Sequence, residues 1–222
     1  MVQNSGRATE TRPPLSADRV LGAAIALADQ GGLEGLSMRK LARQLGVEPM
    51  SIYYYYTKKD ELLDGILEIV IDEIQLVPLG ADWQPALRTM ALSAHEALER
   101  HPWACGLMMS PSRIRQGRMR YMNSILGHIR RAGFSAELTD RAYHALDSHI
   151  IGSTLWGVGY AVGSSPSSDF AAEFLRSLPA DEYPYLVEHV EQHLGLSEAG
   201  EVSFEFGLDL ILDGLGRLLP SS

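Results

Sequence analysis

Cysteine is nearly absent from this chain. Cys105 stands alone, so no disulfide can close within one molecule and no cysteine-based metal site exists. A reducing, cytoplasmic compartment is the expectation that follows. An apolar leader is lacking too: Arg7, Glu10 and Arg12 precede Pro13-Pro14, and residues 1–15 read as a disordered arm. Long hydrophobic runs are also missing. No charged residue falls between Asp147 and Asp169, yet the apolar part of that stretch, Ile150 to Val162, is short of the roughly 20 residues that span a bilayer. Gly152, Ser153, Thr154, Gly157 and Gly159 dilute it further, so it reads as a buried helix. Strand-like alternation and internal repeats are lacking, which leaves an all-α fold. No Walker loop, Gly-x-Ser-x-Gly elbow or His-Glu-x-x-His is present. Gly157-Val-Gly-Tyr-Ala-Val-Gly163 is too long for a dinucleotide fingerprint and follows no strand. An enzyme is therefore not expected, and no cofactor or metal is called for.

Positive charge is scarce overall, with a net charge of −9, but it is unevenly placed. Residues 1–60 hold eight Lys/Arg against six Asp/Glu; residues 61–222 hold eleven against twenty-two. A small, mildly basic head on an acidic body is a pattern that suits a nucleic-acid reader.

Helical periodicity runs almost throughout. Ser16 caps a first helix whose apolar face is Val20, Ala23, Ala24, Leu27 and Ala28, and Gly31-Gly32 ends it. Ser37 caps a short second helix carrying Leu41, Ala42 and Leu45 inward; Gly46 closes it. A third starts at Glu48-Pro49, where proline suits the first turn. Thr57, paired with Asp60, caps a fourth expected to run to about Val77. The body then offers helices over 83–100, 111–132, 137–162, 169–178, 184–194 and 202–219. The expected organisation is a helix-turn-helix domain over 16–62, a linking helix over 58–77 and a helical sensing and dimerisation domain over 63–219.

The segment from Ser37 to Tyr56 is the informative one. Two short helices joined at Gly46-Val47 form a helix-turn-helix, with Leu41, Ala42, Leu45, Val47 and Ile52 fixing the crossing. The second would lie in the major groove of double-stranded DNA and present its N-terminal residues to base edges. Lys58 and Lys59 open the next helix, at the positive end of its dipole, where cations are mildly unfavourable unless they face a phosphate.

Residues 16–66 resemble the N-terminal domain of the TetR family: R-V-L-x-A-A-I-x-L from Arg19, G-G-L-x-G-L-S-M-R-K-L-A from Gly31, then L-G-V and S-I-Y-Y-Y-Y in register. The resemblance implies a homodimer on a palindromic operator, with Arg39, Pro49, Met50, Ser51, Tyr53, Tyr54 and Tyr55 facing DNA and Lys59 on phosphate. Arg39 matches the paired acceptors of guanine, while Tyr56 is expected to pack inward. F-E-F-G-L-D-L-I-L-D-G-L from Phe204 and D-W-Q-x-x-L-R from Asp82 resemble the tetracycline-repressor type of C-terminal domain. That implies a four-helix dimer contact through Gly152, Leu155, Trp156, Phe204, Leu208, Ile211 and Leu215.

The ligand signature departs from the tetracycline sensors. Leu107-Met108-Met109-Ser110-Pro111 stands where those sensors carry a His-Leu-Gly-Thr-Arg-Pro-like segment. A magnesium-chelated ligand is therefore not implied. Met90, Trp103, Met108, Met109, Met122 and Trp156 either fill core or line a pocket for a largely apolar or aromatic effector, with Arg113 open to an anionic group. The implied function is a repressor released by a small molecule; an activator, or a DNA binder without an effector, is the alternative.

Overall fold

The computed structural model describes residues 14–162, 168–195 and 204–219, and the expected arm up to residue 13 lies outside them. The regular elements among the described residues are helices, with no strand among them. The chain divides into two compact units, Met1–Ile66 and Leu67–Ser222.

The first unit holds α1 (Ala17–Gly35), α2 (Met38–Leu45), α3 (Pro49–Tyr53) and the start of α4 (Lys59–Asp72). Ser16 caps α1 by accepting the Arg19 amide at 3.3 Å. The expected stop at Gly31-Gly32 is a kink: Gly32 takes φ +64°, and one further turn carries the helix to Gly35. Val20, Ala24 and Ala28 of α1 are buried, as are Leu41, Ala42, Leu45, Ile52, Leu62 and Ile66. Gly65 leaves room for Leu21, whose Cδ2 lies 2.8 Å from where a Cβ would stand.

The second unit contains α5 (Trp83–Arg100), α6 (Ala104–Met108), a single 3-10 turn at Pro111–Arg113, α7 (Gln116–Arg131), α8 (Ala136–Val162), α9 (Ser168–Ser177), α10 (Pro184–Gly195) and α11 (Phe204–Gly216). Helices α5, α7, α8 and α11 pack on one another, while α9 and α10 pair together. The seam between α5, α8 and α11 is aromatic: Phe204 stacks between His95, at 4.0 Å, and His149, at 4.8 Å. His149 Nε2 lies 2.9 Å from the Phe204 carbonyl. Arg88 of α5 adds ion pairs to Glu205 (2.6 Å) and to Asp209 of α11.

Three expectations about elements are corrected. The fourth helix stops at Asp72 rather than near Val77, because the Gln75 amide donates to Ser93 Oγ of α5 (2.8 Å) instead of to a helical carbonyl. The helix expected over 111–132 begins only at Gln116, and the Glu68 carboxylate accepts the Gly117 amide (2.7 Å) in its first turn. Helix α6 was not expected; its five residues lie between Pro102 and Pro111, too few to show a period, and Ala104, Cys105, Leu107 and Met108 are buried.

Candidate nucleic-acid interface and sensing core

The α2–α3 pair is built from caps and one tight turn. Ser37 Oγ accepts the Lys40 amide at 3.2 Å. Gly46 adopts φ 67°, ψ 39°, the left-handed conformation that costs a side chain about 1–2 kcal/mol. The Val47 amide then reaches back to the Ala42 carbonyl (3.0 Å), folding α3 across α2. Leu41, Ala42, Leu45 and Ile52 are buried in the crossing, so the angle of α3 is held by packing on one side.

The other side is open. Met50 is 76% exposed and Tyr54 84% exposed; Tyr53 and Arg39 are also exposed, with Pro49 and Ser51 half-buried. Met50 and Tyr54 therefore bury little of their apolar surface in the fold. Tyr55 differs from its neighbours: its hydroxyl donates to the Leu15 carbonyl (2.8 Å) and its ring meets Tyr54 edge-on. It braces the start of α1 against the end of α3. Tyr56 is half-buried against the Leu21–Gly65 contact, and burial, with Asp18 nearby, raises its phenol above the ordinary value.

The start of α4 corrects the expected cap. Glu61, not Asp60, serves Thr57: its carboxylate accepts the Thr57 amide (2.9 Å) and hydroxyl (2.8 and 2.9 Å). Those bonds, the Thr57 hydroxyl first, hold the Glu61 carboxyl below the usual range. Lys58 and Lys59 are exposed beside it, and the Lys59 ammonium donates to the Leu33 carbonyl at 3.3 Å. The positive charge of this turn is therefore carried by exposed ammonium groups. Lys40, Arg43 and Gln44, exposed on α2, were not among the expected contacts. Arg43 follows Arg39 by one helical turn, a spacing that places both on one strip.

In the second unit the expected ligand residues scatter. Met90 and Met108 are fully buried and Trp103 nearly so; Met122 and Arg113 are half-buried; Met109 and Trp156 are exposed, Trp156 by 65%. The expected dimer residues divide in the same way. Phe204, Leu208 and Leu215 pack into the core of the second unit, whereas Leu155 and Trp156 of α8 face outward and Gly152 and Ile211 are half-buried. Phe206 (67% exposed) and Leu210 (61%) complete an outward apolar strip on α11 that the sequence reading passed over. Periodicity shows a stripe, but on a helix apolar on both sides it does not say which stripe faces in.

Acids on α4 and just beyond it are tied into the second unit. Glu68 holds the first turn of α7, Asp72 pairs with Arg120 (2.6 Å) and Glu73 pairs with Arg100 (2.7 Å). Arg118 is only 8% exposed and donates to the Ser110 carbonyl (3.3 Å). No described helix is long and apolar enough to cross a membrane.

Comparisons with known proteins agree with this division. Residues 20–66 match the model for bacterial regulatory proteins of the tetR family, and residues 78–219 match the tetracyclin repressor-like C-terminal domain. The HTH-type transcriptional repressor DrrR1 of Streptomyces coeruleorubidus is 32% identical over 222 residues, covering 94% of this chain and 80% of that protein. The HTH-type transcriptional repressor Rv1353c of Mycobacterium tuberculosis is 29% identical, covering 97% and 86%. Apo ActR from Streptomyces coelicolor superposes with a TM-score of 0.75 at 26% identity, over 93% of this chain and 99% of that one. ActR has also been solved in complex with actinorhodin, where the TM-score is 0.72 over 94% and 100% of the two chains.

Proposed function

Because the chain belongs to the TetR family of DNA-binding transcription regulators, we propose that it is a homodimeric repressor which a small-molecule effector releases from a palindromic operator. The observation that carries the DNA half is the outward face of α3. Met50, Tyr53 and Tyr54 stand in water on a helix whose opposite face is locked by Ile52 and by the Gly46 turn. Placed in the major groove, Arg39 is suited to a guanine, Met50 to a thymine methyl, and Ser51 and the tyrosine hydroxyls to phosphate or base edges. Lys58 and Lys59 would supply backbone charge.

The release half rests on α4. Its last turns carry Glu68 and Asp72, which are bound to α7, while its first turn carries the lysines. An effector that shifts α7 would tilt α4 and change the separation of the two heads. Heads on successive major grooves need a spacing of about 34–36 Å, so a small tilt weakens both at once. ActR, solved with actinorhodin, supports reading the helical body as the effector sensor.

Selecting bound fragments from the source genome gives the operator. Affinity for the selected duplex should fall linearly with the logarithm of salt concentration. Binding that is indifferent to salt and sequence removes the DNA reading. Spin labels on the two α3 helices, measured with and without effector, test the release: an unchanged separation rejects it.

A further inference from the structure

Where α7 and α6 pack against α8, the second unit buries polar groups that its own fold does not satisfy. Tyr121 is 1% exposed and its hydroxyl has no hydrogen-bond partner. Arg118, three residues earlier on α7, uses Nη1 on Ser110 but leaves Nε unmatched. Asp147 of α8 leaves Oδ1 unmatched, one turn after Tyr143. Buried polar atoms are ordinarily paired, because leaving a donor or acceptor unmatched forfeits its hydration. Three such groups on facing helices leave hydrogen-bonding capacity unused at one place in the second unit.

The unmatched inventory describes that partner. Arg118 Nε–H can only donate, so it needs an acceptor. Asp147 Oδ1, when ionised, can only accept, so it needs a donor, and the Tyr121 hydroxyl can serve either. Tyr121 and Tyr143 supply rings, and the surrounding helices contribute buried Cys105, Met108, Ile125 and Leu146, surfaces suited to a flat apolar body. We propose that Arg118, Tyr121 and Asp147 read the polar edge of the effector, and that the effector is an aromatic molecule with neighbouring donor and acceptor oxygens. Vicinal phenolic hydroxyls, or a phenol beside a carbonyl, meet that description. This rests on the body being an effector sensor and adds the chemistry it selects.

The electrostatics agree. Burial, with Asp147 and Tyr143 adding to it, raises the Tyr121 phenol well above its ordinary value. Burial also raises the Asp147 carboxyl, against the pull of Arg118 and His144. A ligand that supplies hydrogen bonds here relieves the cost that burial imposes on these groups.

The test uses the full-length protein, calorimetry and three probes: 2,3-dihydroxynaphthalene, 2-naphthol and 2,3-dimethoxynaphthalene. The dihydroxy compound should bind at least tenfold more tightly than the dimethoxy compound, which can accept but not donate, with 2-naphthol between them. Tyr121→Phe should weaken the dihydroxy compound about tenfold while leaving the unliganded protein's Tm unchanged or higher, since only an unmatched oxygen is removed. Arg118→Met should weaken it further. Equal binding of all three probes, or no binding of any, overturns the proposal. A Tm that falls by several degrees in Tyr121→Phe also overturns it, by showing that the hydroxyl holds the fold together. Operator release is measured in parallel. Release by any compound with the same potency on wild type and Tyr121→Phe keeps the repressor and rejects this site. Probe binding that depends on Tyr121, without release of operator by any compound, keeps the site and rejects the release mechanism.

Discussion

Arg39 and Cys105 show what a single residue's surroundings decide. Arg39 is exposed on α2 with no role in the core, so its removal should leave folding intact. Arg39→Ala is expected to lose about 1–3 kcal/mol of discrimination at one operator base pair. Titrating operators with single base-pair changes will measure it, and an equal loss on every sequence would assign Arg39 to phosphate alone. Cys105 is the opposite case. Burial, aided by the nearby Asp147 charge, pushes its thiol up to about 11. At pH 8 it therefore stays protonated, and the thiol form is a poor nucleophile. Iodoacetamide should leave Cys105 unmodified in the native protein and modify it in denaturant, as mass spectrometry can follow; rapid native labelling contradicts the buried placement.

At the scale of the element, two glycines govern how helices meet. Gly46 holds the turn between α2 and α3 at positive φ. Gly46→Val should destabilise the first unit by at least about 1–2 kcal/mol and weaken operator binding more than that loss explains, because the angle of α3 changes. Denaturant unfolding combined with DNA titration separates the two effects. Gly207 faces the His149 ring on α8, and a Cβ there collides with it. The ring is held by the Phe204 carbonyl and by stacking on Phe204, so it has little freedom to yield. Gly207→Ala should cost about 1–3 kcal/mol by overpacking, read as a drop in Tm. An unchanged Tm would show that α11 slides along α8 at little cost.

At the scale of the molecule, the outward apolar surfaces matter. Leu155 and Trp156 on α8, and Phe206 and Leu210 on α11, are large apolar side chains exposed on two helices that pack together. On the homodimer reading these surfaces meet their twofold copies. Leu210→Glu should therefore shift the sedimentation coefficient to that of a monomer at micromolar concentration and reduce operator affinity sharply. A variant that stays dimeric moves the interface elsewhere.

Local chemistry was enough to read the head from the sequence. Ser16, Ser37 and Gly46 act within one turn of themselves, and the period of the apolar residues places Leu41, Ala42 and Ile52 inward without reference to any distant segment. The sequence also determined the helical class of the body. Tertiary contacts alone decided the rest. Ser93 takes the amide that ends α4, Glu68 starts α7 late, and α8 and α5 claim Phe204, Leu208 and Leu215 for the core, leaving Phe206 and Leu210 outside. The burial of Arg118 belongs with these. A charged residue reads as solvated in sequence, and only the packing of neighbouring helices can put it out of reach of water.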